Sequence, residues 1–226
     1  MTSIDTKIDS LFYPEEIFLI RTLFRDERVL FDSKNYDENR LLNCAAKNGL
    51  LQLLNINSVS KSFSYETQQE LKNHYLFNLA KNAAFQTVAA EILQKLAEKG
   101  IPVVLLKGIS LINNIYEDIS LRPMSDLDFM VPTENFFDAW NILNAKSIQM
   151  KRNDYKTGHH LPGFNYKGIN VELHRYLVPA DVKYQIPIDE IWQNTIKLKE
   201  NNALTLNPIH QAIYLLLHIY YTYRQG

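Results

Sequence analysis

Two acidic residues separated by one position are the part of the sequence best suited to chemistry. Asp126 and Asp128 lie in residues 125–131, whose remaining members are mostly apolar and typical of a strand. Side chains two apart in a strand project from the same face, so the two carboxylates would lie side by side, with Leu127 and Phe129 on the other face. Two adjacent negative charges in an apolar segment need a compensating charge. A divalent cation is the simplest candidate.

A third acid stands on a later predicted strand. Residues 164–166 and 169–175 alternate in polarity around Lys167-Gly168, which predicts a hairpin with a tight turn. In its second strand every other residue is apolar, so Glu172 and His174 lie on the polar face. If this strand neighbours the strand that carries the two aspartates, three carboxylates converge.

The elements that must position these acids are predicted from apolar spacing. Residues 103–106 form a continuous apolar run, typical of a buried strand, that ends at Lys107-Gly108, and residues 110–116 have helical spacing. Helical periodicity also dominates residues 1–99, with Asp37 as a cap for one helix and Thr67 as the start of a capping box for a long one.

These patterns predict an α+β fold, in which a small mixed β-sheet with flanking helices follows a helical N-terminal portion. The expected organisation is a helical portion over residues 1–99 and an α/β core over residues 100–206. A C-terminal helix over residues 207–226, capped by Asn207-Pro208, would be the start of a truncated helical region.

Composition excludes several classes of protein. The chain has 226 residues, 46% of them hydrophobic, and a formal net charge of -1, which argues against disorder and against a strongly basic nucleic-acid surface. The single cysteine, Cys44, cannot form an internal disulfide, and the N-terminus does not resemble a secretory leader. The most apolar run, residues 212–223, is too short to span a membrane. We therefore expect a cytoplasmic protein.

Taken together, the motifs resemble the polymerase-beta type of nucleotidyltransferase, and in particular an uncharacterised bacterial nucleotidyltransferase family. The resemblance covers roughly residues 100–220. It is carried by the following elements, in chain order: Leu106-Lys107-Gly108, Tyr116, Arg122 with Asp126 and Asp128, His159-His160-Leu161-Pro162, and Val171-Glu172-Leu173-His174. One departure is the turn, which reads Gly108-Ile109-Ser110 where the wider superfamily usually has Gly-Gly or Gly-Ser.

The resemblance implies a magnesium-dependent nucleotidyltransferase. It would move a nucleoside monophosphate, AMP from ATP or the equivalent from another nucleoside triphosphate, onto a hydroxyl of an acceptor. Two Mg²⁺ ions would be bound by Asp126, Asp128 and Glu172, which are also the expected catalytic residues. The phosphates would be bound by Lys107, by backbone N–H groups after Gly108, by Ser110 and by Arg122. The near-neutral charge favours a small-molecule or protein acceptor over nucleic acid.

Other interpretations stay open at this level. The altered turn is also compatible with a non-catalytic nucleotide-binding or interaction module that keeps the fold, and the helical portion could be a partner-binding scaffold. His159, His160 and His174 could form a second layer around the acids or a zinc cluster, although ordinary polar contacts are the simpler expectation. His218, on an apolar helix, is expected to be a core histidine.

Overall fold

The structure, a computed structural model, describes residues 12–24, 31–32, 34–56, 58–144, 158–179, 182–198 and 203–225. Contacts between Cα atoms divide the chain into two compact units. One comprises Met1–Lys81 together with Asp118–Pro123, and the other comprises Asn82–Glu117 together with Met124–Gly226. The boundary between Lys81 and Asn82 falls within one long helix, and neither unit is a single continuous segment because Asp118–Pro123 belongs to the first unit.

The first unit is helical, as the periodicity predicts. Its helices are α1 (Pro14–Phe24), α2 (Glu38–Lys47), α3 (Leu51–Ile56) and the beginning of α4 (Tyr65–Ala97). The side chain of Asp37 accepts a hydrogen bond from the backbone N–H of Arg40, which confirms the predicted cap of α2.

The predicted capping residue of α4 is wrong. Ser64 is the residue whose hydroxyl accepts the N–H of Thr67, at 3.3 Å, so α4 begins earlier than the sequence pattern suggests. Thr67 is itself buried inside the first turn. A serine and a threonine three residues apart offer equivalent caps, and the packing of the first turn decides between them.

The second unit contains a mixed sheet of six strands. The strands are β1 (Val104–Leu105), β2 (Asp126–Met130), β3 (Phe164–Tyr166), β4 (Ile169–His174), β5 (Ile196–Lys197) and β6 (Leu204–Thr205). Their order across the sheet is β3-β4-β2-β1-β6-β5, with parallel pairing of β2 with β4 and of β1 with β6 and antiparallel pairing elsewhere. Helices in both units and a mixed sheet confirm the predicted α+β class.

The hairpin of β3 and β4 forms as predicted. Its two turn residues, Lys167 and Gly168, have positive φ values of 52° and 88°, the conformation that a two-residue hairpin turn requires. The apolar residues Val171 and Leu173 of β4 are fully buried, and so are Leu127 and Phe129 of the neighbouring strand β2. The acids of both strands therefore lie on the opposite face of the sheet.

The helices of the second unit are the end of α4, α5 (Lys107–Asn114), α6 (Phe136–Leu143), α7 (Ile188–Gln193) and α8 (Pro208–Gln225). Helix α5 begins at Lys107, three residues earlier than predicted, because the helical turn follows β1 almost directly. Asn207 caps α8 by accepting the backbone N–H of His210 at 2.9 Å, as predicted. Within the described part of the chain, no helix combines the length and the apolar character that crossing a membrane requires.

Helix α8 covers part of the acidic face of the sheet. Tyr214 of α8 is buried in a cluster with Val104 of β1, Met130 of β2 and Leu206, which follows β6. Because Met130 has the same side-chain direction as Asp126 and Asp128, this contact brings α8 next to the acids. The face is therefore a partly covered site rather than an open surface.

Candidate active site

The pairing of β2 with β4 brings the acids together. The two parallel strands are in a register that places Asp128 opposite Glu172 and Met130 opposite His174. Because residues two apart share a face, Asp126, Asp128 and Glu172 all project from the same side of the sheet. The neighbouring strands that the sequence analysis required are therefore present.

Asp128 is the most buried of the three acids, with 2% of its surface exposed. Its Oδ1 atom is contacted by Nζ of Lys107 at 2.7 Å and by Nε2 of His174 at 2.9 Å. Burial alone would raise the pKa of the Asp128 carboxyl, but the hydrogen bond and charge of His174 and the ammonium of Lys107 together lower it below its ordinary value. Asp128 is therefore held ionised.

Asp126 is in the opposite situation. Burial, followed by the negative charge of Asp128, raises the pKa of the Asp126 carboxyl above its ordinary value, and Lys107 offsets only part of this effect. The hydroxyl of Ser125 donates to Asp126 Oδ1 at 3.2 Å. The face thus carries more negative charge than its protein partners neutralise, which is the condition expected of a cation-binding site.

Lys107 reaches the acids from the turn formed by Leu106, Lys107 and Gly108, where the chain passes from β1 into α5. Its φ of 44° lies in the left-handed region, which is unfavourable for a lysine and is tolerated mostly where the surrounding structure demands it. Gly108 follows, and a Cβ atom there would lie 2.7 Å from Cγ and Sδ of the buried Met124. The turn is therefore tightly packed, and its shape directs the Lys107 ammonium to Asp128.

The other two predicted phosphate-binding side chains have protein partners of their own. Ser110 is buried, and its hydroxyl is 2.6 Å from the Thr205 hydroxyl and 3.2 Å from Oε1 of Gln211, so it fastens α5 to β6 and α8. Arg122 belongs to the first unit, where its Nη1 atom donates to the carbonyl of Pro123 at 3.1 Å. The structure brings Lys107 to the acids and leaves the phosphate-binding roles of Ser110 and Arg122 as predictions.

A cavity of about 330 Å³ opens over the acids. Its lining combines charged residues, histidines, and apolar or aromatic residues, in that order: Lys107, Asp126, Glu172; His159, His160, His174, His218; Leu177, Val178, Pro179, Tyr214, Tyr221. The prediction that His218 is a core residue is wrong, because its side chain is exposed and faces this cavity. Helix α8 presents His218 one turn after Tyr214, and both residues line the cavity.

Three of the histidines are packed together. The ring centroids of His159 and His160 are 4.3 Å apart, and each ring lies within 5.8 Å of the His174 ring. Burial and the neighbouring histidines lower the pKa of His159 to about 3, so this ring is neutral at physiological pH. His159 therefore supplies no positive charge to balance the carboxylates.

Sequence reasoning named His174 but did not recognise its contact with Asp128. The sequence could have indicated this contact, because His174 and Glu172 are two residues apart in a strand and therefore project from the same face. Tyr214 was missed altogether. Its buried hydroxyl has no hydrogen-bond partner within the described ranges, and burial and the three acids raise its pKa well above the ordinary value. Nothing in the spacing of α8 distinguishes this tyrosine from packing residues.

The chemistry of the donors fits a divalent cation. One carboxylate oxygen of Asp128, one of Glu172 and a ring nitrogen of His174 all lie within 4.8 Å of one another. Asp126 lines the cavity on the same face but is not part of this closely spaced group. Carboxylate oxygens are the ligands that Mg²⁺ prefers, and imidazole suits transition metals.

Comparisons with known proteins identify the family of the chain. A sequence model of the family described as "uncharacterised nucleotidyltransferase" matches residues 34–225. A structural search finds a crystal structure of a putative nucleotidyltransferase from Thermotoga maritima, at a TM-score of 0.46 and 13% sequence identity, with 63% of this chain and 90% of that chain covered. No curated protein matches the sequence.

Proposed function

Because the chain belongs to the uncharacterised nucleotidyltransferase family, we propose that it transfers a nucleoside monophosphate from a nucleoside triphosphate to a hydroxyl group of an acceptor. The observation that carries the proposal is the register of β2 and β4, with Asp128 opposite Glu172 and Asp126 on the same face. This arrangement, beside a lysine-glycine turn at a helix start, is what nucleotidyl transfer requires of a protein.

We propose that two Mg²⁺ ions are bound by Asp126, Asp128 and Glu172. The excess of carboxylates on this face and the raised pKa of Asp126 support it, because a bound cation would relieve the repulsion between the acids. When bound, such ions withdraw negative charge from the reacting phosphate and from the leaving pyrophosphate. The partly covered cavity would strengthen that effect by limiting the access of water.

The protein residues have separable roles in this proposal. Glu172, whose side chain is 24% exposed, accepts the proton of the acceptor hydroxyl while the hydroxyl oxygen bonds to the α-phosphorus and the bond to pyrophosphate breaks. The first N–H groups of α5 have no partners within the helix and receive the β- and γ-phosphates. Lys107 neutralises the pyrophosphate. Ser110 supports the phosphate site by fixing the position of α5.

We propose ATP as the donor and a small molecule or a protein side chain as the acceptor. The resemblance described above supports ATP, and the net charge of -1 is less suited to a nucleic acid, whose binding depends on many lysine and arginine contacts. A cytoplasmic location, where ATP is abundant, is consistent with the single cysteine.

The proposal is tested by titration calorimetry of a non-hydrolysable ATP analogue, with and without Mg²⁺. We expect binding that depends on Mg²⁺ and that is lost in Asp126→Asn. This substitution removes the negative charge of one proposed ligand and breaks no ion pair among the described residues. Asp189→Asn is the matched control, because it makes the same chemical change at an exposed position of α7. Labelled ATP is then used to search for acceptors.

Two results would contradict the proposal. The nucleotidyltransferase assignment of this site fails if the folded protein binds no nucleotide at any metal concentration. The enzymatic part alone fails if the nucleotide binds with Mg²⁺ but Glu172→Gln leaves every measured transfer rate unchanged. That second result would favour the non-catalytic nucleotide-binding module, for which the engagement of the Ser110 hydroxyl in the core is the supporting observation.

A further inference from the structure

We propose that His174 is a direct nitrogen ligand of one of the two metal ions, through Nε2, and that it makes the site prefer Mn²⁺ to Mg²⁺. The inference rests on the proposed function, because it concerns the metal ions that the nucleotidyl transfer reaction uses. It assigns to His174 a role beyond that of the three acids.

The distances are those of ligands that share one ion. Nε2 of His174 lies 2.9 Å from Oδ1 of Asp128 and 3.8 Å from Oε2 of Glu172. Two ligands of an octahedral ion, each about 2.1 Å from it, are about 3.0 Å apart when adjacent and about 4.2 Å apart when opposite. The 2.9 Å distance matches adjacent ligands, and the 3.8 Å distance lies between the two values. One ion can therefore contact all three residues after small adjustments of their side chains.

The position of the ring is set by the fold. His174 ends strand β4, two residues after Glu172, and its backbone carbonyl accepts the N–H of Val131 at 3.0 Å. The ring is 2% exposed and packs against the rings of His159 and His160. A buried ring held in this way keeps its direction toward the acids and would lose little conformational entropy on binding an ion.

The protonation of the ring also permits ligation. In the described residues Nδ1 of His174 is buried and has no hydrogen-bond partner, so no second contact fixes the ring proton on one nitrogen. In the tautomer that carries its proton on Nδ1, Nε2 presents a lone pair toward the acids, as ligation requires.

The ligand chemistry leads to the metal preference. Mg²⁺ selects oxygen ligands and keeps much of its water, whereas imidazole nitrogen binds transition ions more strongly. A ligand set of Asp128, Glu172 and His174 therefore binds Mn²⁺ more tightly than Mg²⁺. The difference in affinity would be much smaller if the three acids alone bound the ion. The proposed preference is a consequence of one ring nitrogen.

The test is electron spin-echo envelope modulation of Mn²⁺ bound to the full chain, combined with calorimetric titrations of Mn²⁺ and Mg²⁺. We expect the wild-type spectrum to show a directly coordinated ¹⁴N nucleus. His174→Gln keeps a side-chain donor for Asp128 but lacks the imidazole nitrogen, and we expect it to lose the ¹⁴N signal. Its affinity for Mn²⁺ should fall about 10- to 100-fold, with a much smaller change for Mg²⁺.

His218→Gln is the matched control, because His218 lines the same cavity but is not part of the metal-ligand set. It should retain the ¹⁴N signal, and circular dichroism should show that both variants fold. Bound Mn²⁺ without a coordinated ¹⁴N in the wild-type protein would overturn this inference and leave His174 as a hydrogen-bond donor to Asp128, with the proposed function intact. Absence of any metal binding, with or without the ATP analogue, would overturn both.

Discussion

The three acids of the site differ in what they contribute to the metal-free protein. Asp128 is paired with Lys107 and His174, whereas the ionised form of Asp126 is disfavoured by burial and then by the negative charge of Asp128. One carboxylate is thus part of a buried polar network, and the other is a source of instability that a ligand can relieve. Binding sites commonly contain a destabilising charge of this kind, because the ligand requires it although folding alone does not favour it.

We predict opposite effects on stability for two substitutions that are chemically the same. In the presence of a chelator, Asp126→Asn should raise the free energy of unfolding by about 1 kcal/mol, because it removes a charge that burial and Asp128 disfavour. Asp128→Asn should lower it by about 3 kcal/mol, because Lys107 loses its buried partner. Urea unfolding at neutral pH measures both, and effects of equal sign would contradict the assignment of roles.

Lys107 competes with a metal ion for the same carboxylate oxygen, so its removal should strengthen metal binding. In the absence of nucleotide, Lys107→Met should bind Mn²⁺ about tenfold more tightly than the wild-type protein, because a positive charge 2.7 Å from Asp128 Oδ1 is lost. The same variant should bind the ATP analogue more weakly, since the proposed partner of the pyrophosphate is gone. Calorimetry gives both affinities.

Lys167→Met is the control for that change. Lys167 also pairs with an acid, Glu91, but it lies on the exposed hairpin turn and does not line the cavity. It should leave both affinities unchanged. Equal effects of the two variants would show that net charge, rather than the contact with Asp128, determines metal binding.

At the level of elements, the turn between β1 and α5 is the connection on which the site depends. It carries Lys107 in a left-handed conformation and Gly108 against Met124, and α5 is in turn fastened by Ser110 to β6 and α8. The position of the Lys107 ammonium therefore depends on two short strands, β1 and β6, and on two helices, α5 and α8.

Gly108→Ala should therefore disturb both stability and nucleotide binding. The added methyl group would lie 2.7 Å from Met124, and such overpacking typically costs about 1–3 kcal/mol. We expect the double variant Gly108→Ala, Met124→Ala to be less destabilised than the sum of the two single variants, because the second change removes the clash. Additive losses in urea unfolding would show that Met124 is not the obstacle.

For the whole molecule, metal binding and folding must be linked if the site is as proposed. The acids come from two strands that pair only in the folded second unit, so an ion that contacts both strands binds the native state preferentially. The stability of the sheet then depends on the concentration of the metal.

We expect Mn²⁺ at 100 times its dissociation constant to raise the free energy of unfolding by about 2.7 kcal/mol, with a chelator reversing the effect. Hydrogen exchange should show slower exchange of the amides of β2 and β4. In Asp126→Asn the increase should be much smaller at the same metal concentration. Equal stabilisation of both proteins would place the ion elsewhere.

The sequence by itself determined the local elements of the site. Three features depend only on neighbours along the chain. They are the alternation of polar and apolar residues in β2 and β4, the Lys167-Gly168 turn, and the apolar run that ends at Lys107. Side-chain direction in a strand has a period of two, and turn residues are restricted in backbone conformation, so these features could be predicted from spacing alone. The family resemblance rested on the same local motifs and is confirmed by the match over residues 34–225.

Only the tertiary structure decided which residues meet. The placement of His174 on Asp128, the burial of the Ser110 hydroxyl against Thr205 and the exposure of His218 to the cavity all join segments far apart in sequence. Such contacts depend on strand order and on the side of the sheet that α8 covers, and the periodicity of one segment carries no information about its distant neighbours. For this reason the acids could be identified from the sequence, whereas the packing of the second unit determined which residues, Lys107 and His174, stabilise the charge of Asp128.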